Sequence, residues 1–124
     1  MEESQKWMAQ AKADFSTAKA NLQVKKYYAS VLFSQQAIEK ALKALWMIEK
    51  KGDYPLIHDL HRLGKQLDVP DKFFEVLKEL TSAYGESRYP DSTDIIPAKK
   101  FSRTDALKYI ASTKELLKWI QERM

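Results

Sequence analysis

The chain contains no cysteine, and only three glycines and four prolines occur among its 124 residues. The lack of cysteine excludes disulfides and thiolate metal sites, and it fits a reducing, cytoplasmic environment. The scarcity of glycine and proline favours long regular elements over many turns. The longest apolar run is ALWMI, far shorter than the roughly 20 residues of a membrane-spanning helix. Its first ten residues do not have the pattern of a signal peptide. We therefore expect no membrane association.

The charge balance of the chain is only mildly positive. There are 21 basic and 17 acidic residues, which gives a net charge of +4. This excess permits attraction to phosphate groups, but alone it does not indicate nucleic-acid binding. With 44% hydrophobic and 31% charged residues, the composition is that of a globular protein, and the length predicts one domain over residues 1–124.

Apolar residues recur at spacings of three and four through most of the chain, the pattern of amphipathic helices. This spacing predicts helices over residues 4–22 and 27–51, a short helix within LIHDLHRLGKQL that Gly64 weakens, a helix from Pro70 to about Tyr84, and a last helix from SRTD onward. No strand-like alternation competes with this pattern. The sequence therefore predicts an all-α, antiparallel up-and-down bundle of four long helices plus a short one.

Several residues predict where these helices begin and end. Gly52 is expected to close the second helix in a left-handed conformation, and Gly85 is expected to end the fourth. Asp68 is expected to cap the fourth helix. Ser102 and Asp105 have the spacing of a capping box at the start of the last helix.

One side of the second helix does not have the composition of a core. At 100° per residue it combines aromatic, amide and charged side chains, namely Tyr28, Leu32, Gln35, Gln36, Glu39, Lys43 and Trp46, with Lys40 at its border. Three interpretations remain open. The side is a solvated face with a Glu39–Lys43 pair, a homodimer surface, or a groove in which Gln36, Glu39, Lys40 and Lys43 hold a polar or phosphorylated ligand.

The linker AYGESRYPDSTDIIPAKKFS, residues 83–102, is longer than the connections of most helical bundles. Its apolar residues argue against disorder, and Pro90 restrains the segment from which Arg88 projects. An arginine on a restrained segment suits bidentate binding of phosphate or carboxylate. The alternative is that Arg88 pairs with a carboxylate of the same chain, Asp14 or Glu39.

The two histidines give little support for a metal site. His58 and His61 stand three residues apart, but no third or fourth ligand has a recognisable spacing. We therefore predict neither a metal nor another cofactor. His58 is expected to form a hydrogen bond near the start of the short helix, and His61 is expected to be exposed. The sequence also lacks a phosphate-binding glycine loop, a serine elbow and a paired-carboxylate site.

The order of these segments resembles the HEPN domain family of small helical prokaryotic proteins. The resemblance is carried by Trp7, Ala11 and Asp14, by YYASVLFSQQAIEKALKAL, by HDLHRL and by SRYPD, and it covers essentially the whole chain. It implies a bundle of four or five helices and commonly a homodimer with a cleft at its interface. It also implies a role as accessory or substrate-binding subunit of a minimal nucleotidyltransferase.

The resemblance implies a set of ligand-binding residues as well. The matching positions are Gln36, Glu39, Lys40, Lys43, His58, Arg88, Tyr89 and Pro90, with Asp14 of the first helix as a further candidate. In this hypothesis Arg88, Lys40 and Lys43 engage the phosphate of a nucleotide, Tyr89 or Tyr28 stacks on its base, and Glu39 and Gln36 orient the basic groups.

The chain departs from the family at one motif. Many HEPN proteins are metal-independent ribonucleases in which a histidine follows an arginine by four to six residues and acts on the 2′-hydroxyl. No histidine follows Arg62, Arg88 or Arg103 here. The sequence therefore favours a non-catalytic nucleotide-binding module. The alternatives are a toxin-type ribonuclease that uses His58 and Arg88 on RNA, and a homodimeric scaffold without a ligand.

Overall fold

The structure is a computed structural model that describes residues 2–124. In this part of the chain six helices and one 3₁₀ turn occur, and no strand. The helices are α1 (Glu3–Gln23), α2 (Tyr27–Glu49), α3 (Leu60–Gln66), α4 (Phe74–Glu86), α5 (Pro97–Lys100) and α6 (Arg103–Arg123), with the 3₁₀ turn Asp71–Phe73 before α4. The predicted all-α bundle of four long helices and a short one is confirmed. The one-turn helix α5, inside the linker, is an addition to that prediction.

Consecutive long helices run in opposite directions, so that α2 and α6 are parallel. At their carboxyl ends Arg123 of α6 donates to Glu49 of α2, with 2.8 Å between Nη2 and Oε1. α1 packs along α2 more extensively than any other helix does. α4 lies against α6 in the opposite direction, since Glu79 in α4 is bonded to Lys108 and Tyr109 near the start of α6.

α2 is the central helix of the bundle and contacts all five other helices. Its apolar side chains are fully buried at Val31, Ala37, Ile38, Ala41, Leu42, Ala44 and Leu45. Because full burial of each large aliphatic side chain contributes roughly 1.5–3 kcal/mol, this face anchors the fold. The described residues include no helix with both the length and the apolar character needed to cross a bilayer.

Three predicted helix boundaries are wrong. α4 continues through Gly85 and ends at Glu86, because a glycine near a helix end costs at most about 1 kcal/mol, while the backbone nitrogen of Ser87 still donates to the oxygen of Ala83. Lys51, with φ of 50°, takes the left-handed position predicted for Gly52. Asp68 is also left-handed, with φ of 58°, and does not cap a helix.

The predicted capping box at the start of α6 is confirmed. The Ser102 hydroxyl accepts from the backbone nitrogen of Asp105 at 3.1 Å, and the Asp105 carboxylate accepts from the backbone nitrogen of Ser102 at 2.9 Å. α6 therefore begins at a position that its own sequence specifies.

Glu79 connects α4 to α6 through two donors. Lys108 Nζ lies 2.6 Å from Glu79 Oε2, and the Tyr109 hydroxyl donates to the same oxygen at 3.1 Å. Burial, together with the negative charge of Glu79, raises the pKa of Tyr109 above its ordinary value. The phenol therefore remains a donor across the physiological pH range, and it helps to hold α4, whose carboxyl end leads into Arg88.

Gly64 and Gly85 are both helical glycines, but they differ in the space beside them. A Cβ on Gly64 would lie 2.6 Å from Cδ1 of Leu77, a fully buried side chain, whereas a Cβ on Gly85 would meet nothing closer than Ser92 Cβ at 3.8 Å. Gly64 thus permits a close approach of α3 to α4 and does more than weaken α3.

We predict that Gly64→Ala lowers the free energy of unfolding by about 1–2 kcal/mol, since overpacking outweighs the gain in helix propensity. Gly85→Ala is the matched control and should raise it by up to about 1 kcal/mol. Urea denaturation followed by circular dichroism measures both. A Gly64→Ala protein as stable as Gly85→Ala would contradict the close approach of the two helices.

Candidate functional site

Glu39 is the centre of a buried polar cluster on α2. Its carboxylate, in a residue only 7% exposed, accepts hydrogen bonds from Gln35 Nε2 at 2.8 Å and from Lys43 Nζ at 3.2 Å. It also accepts from His58 Nδ1, at 2.8 and 3.0 Å to its two oxygens. Gln35 and Lys43 each stand four residues from Glu39, so the helix places all three on one side. We call Glu39, Gln35, Lys43 and His58 the Glu39 cluster.

The burial of this cluster changes the interpretation of α2. Gln35 is fully buried and Lys43 is 4% exposed, so the side of α2 that carries them is not a solvated face. A buried carboxylate is stable only when charge and hydrogen bonds compensate its lost hydration. Here an ammonium, an amide and an imidazole provide that compensation.

His58 reaches Glu39 from the segment between α2 and α3. Because a carboxylate only accepts, the Nδ1 atom of His58 carries the proton in this contact, and Nε2 is the nitrogen left for another partner. The expected hydrogen bond at the start of α3 is formed by a different residue, since Asp59 accepts from the backbone nitrogen of Arg62 at 3.0 Å. His61 is half-buried, with its ring edge against Phe74.

Tyr84 brings His58 and Arg88 together. The His58 ring stacks on Tyr84 with 4.0 Å between centroids and 19° between planes, and Arg88 Cζ lies 3.9 Å from the same centroid. Two planar groups this close to one ring would overlap if they shared a face. His58 and Arg88 therefore cover opposite faces of Tyr84.

Arg88 is held in place without forming an ion pair. Its Nη1 donates to the backbone oxygen of Tyr84 at 2.9 Å, and its Nη2 donates to Gln35 Oε1 at 3.2 Å. Among the described residues no carboxylate lies within ion-pair distance of this guanidinium, so the alternative in which Arg88 pairs with Asp14 or Glu39 is wrong. The acid nearest along this hydrogen-bonded path is Glu39, which contacts Gln35 and not Arg88.

Asp14 and Lys40 form a second pair on the α1 side of α2. Asp14 is buried and accepts from Lys40 Nζ and, at 3.0 Å, from Gln10 Nε2. Asp14, a candidate for ligand binding in the sequence, therefore neutralises a lysine of α2. Asp14 has no described contact with the Glu39 cluster.

Tyr54 connects the Glu39 cluster to α1. Lys43 Nζ lies 5.2 Å from the centroid of the Tyr54 ring, and Tyr54 packs on Trp7 of α1 with 4.7 Å between centroids. Both rings are half-buried. The contacts of Tyr54 and of His58 thus hold the segment after α2 against α1 and α2.

The remaining predicted site residues lie nearer the surface. Gln36 is half-buried and donates to Gln35 Oε1 at 3.4 Å, while Tyr89 is 49% exposed beside Arg88. Pro90 is exposed. In the part of the chain that the structure describes, no group of three or more His, Cys, Asp or Glu residues is placed to hold a metal ion.

Sequence reasoning missed the roles of Gln35, Tyr84 and Tyr54. Tyr84 stands four residues before Arg88, but Arg88 lies beyond the end of α4 at Glu86, so helical spacing alone does not predict their contact. Nothing in the sequence indicates the contact of Tyr54 with Trp7, because it depends on how the segment after α2 folds back.

Comparison with known proteins decides the family. A family model described as HEPN domain matches residues 4–123. The chain belongs to the HEPN domain family. The crystal structure of TT1696 from Thermus thermophilus is similar over 100% of both chains, with 28% identity and a TM-score of 0.90. ST0689, described as an archaeal HEPN homologue, is similar over 98% of both chains, with 25% identity and a TM-score of 0.82.

A third similarity is local. A stretch of 44 residues, 35% of this HEPN chain, is 46% identical to part of a tRNA (guanine(26)-N(2))-dimethyltransferase of Pyrococcus furiosus. The match spans 12% of the length of that enzyme. The similarity is therefore confined to a segment.

We predict that Glu39→Ala lowers the free energy of unfolding by about 3 kcal/mol or more, because it leaves the buried ammonium of Lys43 without its carboxylate. The matched control is Glu3→Ala, which removes an exposed partner of Lys6 and should change stability by less than about 1 kcal/mol. Chemical denaturation of both variants tests this difference. Equal losses would show that the Glu39 cluster contributes no more than a surface pair.

Proposed function

We propose that this HEPN protein is a non-catalytic module that binds a nucleotide through its phosphate, with Arg88 as the principal contact. One observation carries the proposal: Arg88 is half-buried and fixed in orientation, yet no carboxylate among the described residues neutralises it. An arginine that serves only the fold usually finds an acid when it is buried. A guanidinium that is oriented and still carries its net charge suits an anionic ligand.

The contacts of Arg88 favour this role. They use one hydrogen of Nη1 and one of Nη2, while a guanidinium has five donors in a rigid fork. The Tyr84 ring and the Gln35 amide restrict its motion, so binding of a phosphate requires little of the ordering cost that a free side chain would add. The remaining donors match the bidentate geometry that arginine forms with phosphate oxygens.

The other candidates take supporting roles in this proposal. Lys43 and Lys40 are bound to Glu39 and Asp14, so they stabilise the site and do not supply free charge to a ligand. His58, whose side chain is half-exposed, offers Nε2 to the ligand. Tyr89, or Tyr28 on α2, offers a ring for a base.

We further propose that the protein acts in the cytoplasm as a homodimer, or beside a minimal nucleotidyltransferase, as the family resemblance implies. Exposed apolar side chains near the site residues in the sequence support a covering partner. Leu56, two residues before His58, is 90% exposed, and Tyr89, Ile95 and Ile96 in the linker are 47–50% exposed. Exposed apolar side chains of this size are enriched at interaction surfaces.

The proposal predicts that Arg88→Ala weakens binding of nucleoside mono- and triphosphates about tenfold or more, the loss of a charge-assisted hydrogen bond of roughly 1.5–3 kcal/mol. Arg88→Lys should also bind weakly, because it keeps the charge but loses the fork. Isothermal titration calorimetry measures these affinities. Arg103→Ala, at an exposed arginine, is the matched control and should bind as the unmodified protein does.

Absence of binding heat in the unmodified protein would reject the proposal. An equal loss in Arg88→Ala and Arg103→Ala would leave only an unspecific charge effect.

A second candidate function is metal-independent RNA cleavage. One specific observation favours it: His58 is oriented by a carboxylate, and it shares the Tyr84 ring with Arg88 although the two are far apart in sequence. A histidine base fixed by an acid, near an arginine that can stabilise a phosphorane, is a recognised arrangement for this chemistry.

This candidate predicts that the purified protein cleaves RNA in the presence of a chelator and that His58→Ala abolishes the cleavage. Gel electrophoresis of labelled RNA measures it, with His61→Ala as the matched control. Intact RNA after incubation with the unmodified protein would eliminate the ribonuclease and leave the binding module.

A further inference from the structure

Gln35 is a fully buried amide on the central helix, between a buried acid and the candidate ligand-binding arginine. Glutamine is mostly exposed in proteins, because burial is costly unless both ends of the amide form hydrogen bonds. Here both ends do. Its Nε2 donates to Glu39 Oε1 at 2.8 Å, and its Oε1 accepts from Arg88 Nη2 at 3.2 Å. The amide therefore joins Glu39 to Arg88.

The chemistry of the two partners fixes the orientation of this amide. A carboxylate only accepts hydrogen bonds, and a guanidinium only donates them. The nitrogen of Gln35 must therefore point to Glu39 and its oxygen to Arg88. Gln36 Nε2, which donates to the same oxygen at 3.4 Å, agrees with that orientation. An ionised glutamate of the same shape could not donate to Glu39, and a methionine of similar length donates nothing.

The hydrogen bond to Gln35 ties the guanidinium to another helix. The other hydrogen bonds of Arg88 in the described part of the chain lead to Tyr84 and Gly85, which precede it by four and three residues. Its contact with the Tyr84 ring is equally local. These local contacts hold the arginine to the end of α4, whereas the bond to Gln35 sets its position against α2.

The same amide leaves the charge of Arg88 uncancelled. Glu39 is already paired with Lys43, so the buried charges beside Gln35 balance without the arginine. A carboxylate at position 35 would inherit both distances of the amide, 2.8 Å to Glu39 and 3.2 Å to Arg88 Nη2. It would repel the one and neutralise the other. The choice between an amide and an acid at this position therefore decides whether the guanidinium keeps its net charge.

We propose that Gln35 is the positioning residue for anion binding at Arg88: it holds the guanidinium against α2 and keeps it charged, without touching the ligand. This rests on the proposed function and deepens it, because a buried amide then determines the charge that the phosphate meets. The order and the charge of the guanidinium are separable at this position. Methionine removes the order and keeps the charge, whereas glutamate keeps the order and removes the charge.

Calorimetry with adenosine monophosphate tests the charge. Gln35→Glu should weaken binding at least about tenfold, as Arg88→Ala does. Adding Arg88→Ala to Gln35→Glu should change the affinity by less than about twofold, because the guanidinium is already neutralised. Gln36→Glu is the matched control, since it makes the same change of charge at a residue that is bonded to Gln35 and not to Arg88. It should weaken binding less than about threefold.

The order of the guanidinium is measured without a ligand. Nuclear magnetic resonance of protein labelled with nitrogen-15 arginine reports the rate of rotation about the Cζ–Nη bonds. Gln35→Met should accelerate this rotation in Arg88 at least about threefold, because it removes the acceptor of Nη2. The rate in Arg123, which is bonded to Glu49, should not change. Gln35→Met adds no charge, so it also provides a test if a second carboxylate beside Glu39 prevents Gln35→Glu from folding.

Two results would overturn the role of Gln35 and leave phosphate binding at Arg88 intact. One is unchanged rotation of Arg88 in Gln35→Met, and the other is binding by Gln35→Glu as tight as that by Gln36→Glu. Failure of the unmodified protein to bind adenosine monophosphate would reject the proposed function itself. The rotation rates distinguish that failure from a failure of the role of Gln35, because they require no ligand.

Discussion

The hydrogen bonds to the buried carboxylate of Glu39 are the interactions on which the rest of the site depends. This carboxylate lies in the middle of the central helix, where an uncompensated charge is strongly destabilising. Three side chains compensate this charge: Gln35 one turn before it on α2, Lys43 one turn after it, and His58 in the segment that precedes α3. The need to compensate one charge thus fixes a helix face and a connecting segment at the same time.

Gln35 extends this order to Arg88 without neutralising it. Because its amide nitrogen is bound to Glu39, its oxygen faces the other way and accepts from the guanidinium. A direct bond between Arg88 and Glu39 would hold the arginine equally well but would cancel its charge. An amide placed between a buried acid and a basic side chain fixes the position of the base and leaves its charge available.

Much of the fold follows from the sequence because its signals are local. The spacing of apolar residues gives the four long helices, and Ser102 with Asp105 specifies the start of α6. Signals that depend on glycine alone were less reliable: α4 passes through Gly85, and Lys51 takes the left-handed position next to Gly52. A glycine allows a helix to end at its position, but the helix can also continue through it.

The candidate site was predictable only in part. The sequence indicates that one side of α2 combines aromatic, amide and charged side chains, and that Arg88 stands on a restrained linker. Both are features of local composition. It does not indicate that Gln35 and Lys43 are buried, because residues of these types are mostly exposed and only the tertiary fold covers them. The contact between His58 and Glu39 joins two segments through a loop, for which no periodicity exists.

The two covered faces of Tyr84 have a consequence for selectivity. A nucleobase that approaches this ring finds the imidazole on one side and the guanidinium on the other, and it can stack there only by exchange with His58. Such an exchange replaces one flat ring by another, so little additional apolar surface is buried and the change in heat capacity is small. The proposed function therefore predicts that recognition beside Tyr84 depends on the charge of the ligand, and that Tyr84 itself does not discriminate between a purine and a pyrimidine.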